Sequence, residues 1–486
     1  LIPATATSPL AVMVLITASC VHVVLGWARR MAQTQNRLLA TYEAVEENLT
    51  AVSVTNITTA IGFLCLNFSE SPPLAQMGTI VAFGIVFGWL LTGMFLPLIL
   101  RRAPALCFKP VHIPGHQLEK LASFALHKRG VVSLFGLAIV VALLGLSQIR
   151  FNDSALRYFG ESFSLRTDND AIEEHLTGME SVHFSFQAPE GHSVFSPEFL
   201  NRVDSFTDWV RTQDKVLFVG SLTDVLKRLN QTLAGGSQDS YELAASQQGN
   251  AQAMMLYELS LPLGQDMNQM MNIDRNKTRL TVVLRGADGQ DIAQFAQRSE
   301  AWLRENEPQI ATRAVGVGVA FSKLTQRNNQ SMIYGMLTVL VLVSVLMTLS
   351  LKDLRLGLVS LVPNVAPAIL AFGLWGWLIG DVNLGSTVVT TMTFGIVVDD
   401  TVHIMIHYNR HRRRGLDREA ALRLTFRTVG TALMVTSVAI SSGFFIMTQS
   451  GFLINQHLGG LTTIVIVLAL FTDLILLPAV LERTKL

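Results

Sequence analysis

Gly395-Ile396-Val397-Val398-Asp399-Asp400-Thr401-Val402-His403 sets two adjacent carboxylates inside an apolar run, 384–406. A run of that length crosses a bilayer as a helix. Each charge near the centre of such a helix costs roughly 2.5–3.5 kcal/mol on insertion scales. Two anions side by side in low dielectric also repel, so at least one is expected to hold a proton near neutral pH. The pair then titrates as a unit, as a proton carrier in a membrane must.

The rest of the chain fits that environment. Only 15% of its 486 residues are charged and 50% are hydrophobic, whereas a soluble domain carries about 25% charged residues. Besides 384–406, apolar runs at 8–27, 50–68, 77–100, 130–148, 330–350, 356–379, 428–448 and 458–481 are candidates to span. Pro97 and Pro478 lie near the ends of their runs, where a missing N–H is tolerated. The three cysteines, Cys20, Cys65 and Cys107, offer no disulfide framework, and the polar segment has none.

If the runs alternate across the bilayer, Arg29, Arg30, Arg101, Arg102, Lys128, Arg129, Lys352, Arg355 and the basic loop 410–414 share one side. The long polar segment falls on the other. Residues 151–330 hold 16 Lys+Arg against 23 Asp+Glu, a balance of −7, and the remainder carries +8. The positive-inside rule then makes the basic side cytoplasmic and the polar segment extracytoplasmic. The basic loop is a topology determinant beside anionic lipid. No aromatic platform accompanies it, so nucleic acid is not expected as a partner.

The chain also repeats itself. At an offset of about 381 positions, Val21-His22 falls on Val402-His403, Val54-Thr55 on Val435-Thr436, Gly62-Phe63 on Gly443-Phe444, and Leu96-Pro97 on Leu477-Pro478. Two copies of a three-helix unit follow, a transporter architecture. By this symmetry the chain, which opens on Leu1, is expected to be the C-terminal part of a twelve-span protein with two outer domains. Residues 1–102 form the first-repeat helices, and 103–129 a linker with an amphipathic helix at 115–126. A span at 130–149, an outer domain at 150–328 and five spans at 329–486 complete the division.

In the outer domain, strand-like 183–187, helix-like 197–212, strand-like 216–221, helical 222–233, strand-like 279–285, helical 291–306 and strand-like 312–320 read as β-α-β-β-α-β. The fold class is thus a polytopic α-helical membrane protein with an α+β, ferredoxin-like (split βαβ) extracytoplasmic domain. An insert at 251–274 carries Met254, Met255, Met267, Met270 and Met271. Methionine is adaptable and serves promiscuous apolar surfaces, so this is a candidate substrate gate; ordinary core packing is the competing reading.

Gly395-x-x-x-Asp399-Asp400, Thr401-x-His403, the basic loop with Gly415, Thr436 through Gly443-Phe444, and Leu477-Pro478 together resemble the resistance-nodulation-division superfamily, in its MMPL-like exporter branch. That resemblance covers nearly the whole chain. It implies export of hydrophobic or lipid-like molecules through porter domains, driven by protons entering the helix bundle, from a bacterial inner membrane. Asp399 and Asp400 resemble the family's relay acids, and Thr436, Ser437, Ser441 and Ser442 its relay partners on the paired helix. The first repeat departs from the pattern, with Ala18-Ser19 where the second has the acids. His403 follows Asp399 by one turn, and His22 occupies its matched position. Imidazoles there suit a relay, since histidine titrates near neutrality; an idle position at the interface is the alternative. Asp473, in an apolar run about one turn before Pro478, is expected at the cytoplasmic interface; support for the relay is the competing reading.

The expected partners are protons, membrane lipids and a lipid-like substrate, with a homo-oligomer or periplasmic partner compatible. No cofactor or metal is expected. An intramembrane aspartyl protease also needs two acids, but takes them from different helices, and no metalloprotease or nucleophile-elbow motif is present; enzyme activity is not expected. A sterol-sensing or receptor-like protein that binds lipid without pumping is the alternative function, because fold does not fix function.

Overall fold

The computed structural model describes residues 5, 7–103, 120, 124–126, 130–151, 158–262 and 265–484. The expected amphipathic helix at 115–126 and Cys107 lie almost entirely outside the described residues. In chain order the helices and strands are α1 (Ser8–Thr34), α2 (Arg37–Leu64), α3 (Pro72–Arg102), α4 (Gly130–Leu146), β1 (Arg150–Phe151), α5 (Ser164–His175), β2 (Glu180–Gln187), α6 (Pro197–Arg211), β3 (Val216–Gly220), α7 (Leu222–Leu233), α8 (Gln247–Ser260), β4 (Lys277–Leu284), α9 (Gly289–Asn306), β5 (Ala314–Val315), α10 (Val317–Leu351), α11 (Leu354–Val359), α12 (Leu361–Leu378), β6 (Asp381–Val382), α13 (Leu384–Arg413), α14 (Arg418–Ile446), α15 (Leu453–Phe471) and α16 (Leu477–Arg483). Two compact units result, one of 1–150 with 326–486 and one of 151–325.

The first unit is helical. Eight helices among the described residues are long and apolar enough to cross a membrane, which makes this a polytopic membrane protein. The apolar helix α4, with 17 residues, is shorter than these. The repeat seen in sequence is repeated in the element limits. Arg37 and Pro72 begin α2 and α3, and Arg418 and Leu453, about 381 positions on, begin α14 and α15. The starts of α2 and α14 are specified alike, by short polar N-caps: Asn36 accepts from the Leu38 and Leu39 N–H groups, and Asp417 from that of Ala420 at 2.7 Å.

Helix α13 is the hub of this unit. In its apolar window 83% of residues are buried, against 22% for α3. It is also the least apolar of the eight, because protein rather than lipid surrounds it. Side chains on all its faces, such as Val389, Met392, Val398, Val402, Ile404 and Met405, are in the core. By contrast α3 turns Phe83, Phe87, Met94 and Phe95 outward, as a lipid-facing helix does.

The second unit is a four-stranded antiparallel sheet in the order β3-β4-β2-β5 with helices. Alternation along β2 puts Val182, Phe184 and Phe186 inward, and Phe184 stands opposite Leu280. Phe206 of α6 meets Phe184 edge-on at 5.0 Å, and Phe295 of α9 packs on the same ring. The strand expected over 312–320 is reduced to Ala314–Val315. Gly316 then takes φ 155° and α10 starts at Val317, so apolar residues that suit a buried strand open a helix instead.

Candidate functional site

Gly395 is what lets α13 approach α2. A methyl group built on Gly395 would stand 3.1 Å from the Thr59 Cα, and one on Gly62 would stand 2.9 Å from the Gly395 Cα. The Thr59 hydroxyl donates to the Gly395 carbonyl at 2.8 Å and pins the crossing. One turn along this crossing lies Asp399, beside Thr55 of α2, whose hydroxyl donates to the Val52 carbonyl at 3.1 Å. Its side chain is 15% exposed.

Asp400 points about 100° away around the same helix. It is buried and accepts from the Ser437 hydroxyl of α14 at 2.8 Å. The next residue, Thr401, turns to a third helix and donates to Asp473 at 2.7 Å. Asp473 sits on a widened π-turn, Thr472–Leu476, between α15 and α16. It was expected at the cytoplasmic interface but is fully buried in the helix bundle, because the π-turn swings it onto α13. Three acids therefore share one interior site.

His403 lies on the same face as Asp399, its Nε2 3.7 Å from Oδ1, beyond hydrogen-bond range. Its ring stacks on that of His22 with centroids 3.6 Å apart and planes 8° from parallel. The repeat thus brings its two matched histidines face to face. His22, Asp399 and Asp400 offer ligating atoms all within 4.8 Å of one another. That is near enough for the three groups to act on one proton or one ion together.

Among the expected partners on α14, only Ser437 touches an acid. Thr436 is buried one position away but donates to its own helix, at Ala432 and Leu433. Ser441 likewise bonds the Ser437 and Val438 carbonyls, and Ser442 is exposed. A one-residue step on a helix turns a side chain by about 100°, so neighbours in sequence face different helices. Of the methionines weighed as a substrate gate, Met254, Met267 and Met271 belong to the core of the second unit and Met270 packs against it. Met255 alone is exposed, at 57%. Methionine's plasticity here fills a core around β4.

The first repeat carries a neutral copy of the site. Asn56 donates to Ser19 at 2.8 Å where Ser437 donates to Asp400 in the second. Cys20 and Thr92 are in contact at 3.5 Å where Thr401 and Asp473 are in the second. The offset of the repeat relates Cys20 to Thr401 and Thr92 to Asp473 in the sequence, and Asp473 is further marked as an acid in an apolar run; Thr55 carries no such mark.

The MMPL family profile matches residues 4–113 and 221–484. Among solved structures, the chain is similar to SecDF in its super-membrane-facing form, with 11% identity, a TM-score of 0.53, and coverage of 99% of this chain and 54% of that one. It is also similar to SecDF, a translocon-associated membrane protein, from Thermus thermophilus, with 10% identity, a TM-score of 0.58, and coverage of 99% and 55%. At such identity the likeness is one of fold, and the chain spans about half the length of either structure. No curated protein matches.

Proposed function

Because this chain belongs to the MMPL family, we propose that it is a proton-driven membrane transporter of the resistance-nodulation-division type. It exports hydrophobic or lipid-like molecules from a bacterial inner membrane. The observation that carries this reading is the interior acid site, where Asp399 and Asp400 on α13 reach Thr55 on α2 and Ser437 on α14, while Thr401 between them and Asp473 ties in the last helix.

Proton uptake neutralises a carboxylate held at a joint between the two repeats. Charge there favours one set of hydrogen-bond partners, and neutrality relaxes it, so protonation shifts the balance between two packings of the repeats. Rocking of one repeat against the other is the motion such parallel repeats support. The second unit is read as the porter domain. Its antiparallel strand order, β3-β4-β2-β5, supports a split βαβ fold.

The test is flux of a fluorescent lipid analogue in sealed vesicles bearing the full-length protein, with and without a pH gradient. Gradient-dependent flux is expected, and Asp400→Asn is expected to abolish it while leaving the protein folded. Binding of the analogue with no gradient-dependent flux would instead favour a lipid-binding receptor.

A further inference from the structure

Below the acid site the same helix carries a line of histidines. His403, His407 and His411 recur every fourth residue of α13, so they share one face and stand about 6 Å apart. All three are buried, at 0%, 1% and 6% exposure, and His22 of α1, stacked on the first, is at 2%. Both ring nitrogens of His22, His403 and His411, and Nε2 of His407, make no hydrogen bond to the protein. Buried polar atoms are rarely left so in pure packing roles.

The line leads from the acids to the arginine-rich end of α13, which the positive-inside rule puts in the cytoplasm. The charged groups within range of it there come from α1, from α2 and from α13 itself. From α2, Glu47 is within electrostatic range of both His407 and His411. From α1, Arg29 donates to Glu47 at 2.7 Å and Arg30 at 3.3 Å. Arg30 also pairs with Glu43, and on α13 Arg410 donates to the Glu47 carbonyl at 3.4 Å. Arg414 lies within electrostatic range of His411.

The first repeat has no such line. Gly26 stands at the position matching His407, and Arg30 at that matching His411. Of the three, only His403 has a matched histidine there, His22, and the full line stands in the repeat that keeps the acids.

We propose that His403, His407 and His411, with His22 stacked on the first, form a proton wire between the Asp399–Asp400 pair and the cytoplasmic end of α13, ending at Glu47. Each transfer adds a proton to one ring nitrogen and releases one from the other nitrogen of the same ring, so every ring passes on the charge that it receives. Two imidazolium rings face to face at 3.6 Å would repel, so the His22–His403 stack holds at most one extra proton at a time. The wire rests on the proton-relay reading of the acids.

The test uses inside-out vesicles containing the full-length protein, with the external pH raised suddenly. The infrared carbonyl band of protonated carboxyls is followed, and the wild-type minus Asp400→Asn difference isolates the acid site. His407→Phe and His411→Phe are expected to keep the starting band but lose it about 100-fold more slowly, the scale of a missing proton-transfer group. His407→Gln, polar and of similar size but unable to take a proton, is expected to be as slow. Wild-type rates in the Phe variants, or a wild-type rate in His407→Gln, overturn the wire and leave the acid pair as the relay. A wild-type spectrum identical to that of Asp400→Asn overturns the relay reading, and the wire with it.

Discussion

Asp400 and Thr401 are neighbours in the chain that serve different helices. The carboxylate takes its hydrogen bond from Ser437, and the threonine gives its own to Asp473. A hydrogen bond to a charged group contributes roughly 1.5–3 kcal/mol, and 1.4 kcal/mol is about a factor of ten in rate. Ser437→Ala is therefore expected to lower gradient-driven flux about tenfold or more. Thr436→Ala, which removes only a bond within α14, is expected to leave it within about twofold. Side-by-side flux assays of the two variants check this. Adjacency in sequence made both residues equal candidates, and only the rotation of α14 separates them.

At the scale of the element, the crossing of α2 and α13 is set by backbone contact at Gly62 and Gly395. Gly62→Val inserts side-chain atoms where the partner's Cα already stands and pushes α2 away. Overpacking of this kind costs about 1–3 kcal/mol. We predict a lower thermal midpoint in detergent, together with loss of flux, because the Thr59–Gly395 hydrogen bond opens with the crossing and Thr55 is drawn away from Asp399. Flux retained in a Gly62→Val protein of reduced stability would show that this crossing does not position the acid. The eight long spans could be read from apolar runs, whereas the polar N-caps Asn36 and Asp417 came only with the structure. The last strand of the second unit could not, since the Gly316 turn and the helix after it outweigh the strand-forming residues around them.

Across the whole molecule the two repeats are near copies in framework and unlike in charge. Arg29 donates to the Thr428 carbonyl and Arg410 to that of Glu47, which are matched contacts across the repeats. The acids and the histidine line break the match. The second unit owes part of its stability to a different set of charges. Asp291 forms a capping box with Asp288 at the start of α9 and pairs with Lys215. Burial pushes its carboxyl up, but hydrogen bonds from Lys215 and the Asp288 backbone prevail and hold it below the ordinary value. A carboxyl lowered by folding contributes stability that is fully present above its unfolded value, about 3.9, and is lost as pH falls through the lower folded value. Asp291→Asn is thus expected to destabilise the second unit at neutral pH and to narrow its difference from wild type as pH falls below about 4. Thermal unfolding followed through the stacked Trp209–Trp302 pair checks both limbs.

From residues alone came the membrane class, the internal repeat and the acid pair, since each depends on composition or local spacing. The tertiary structure alone decided which polar groups meet those acids, that Asp473 is interior, and that the matched histidines stack. The reason lies in α13 itself. A helix enclosed by protein on every side shows no apolar stripe, so its sequence marks it as buried without saying which neighbour each face will meet.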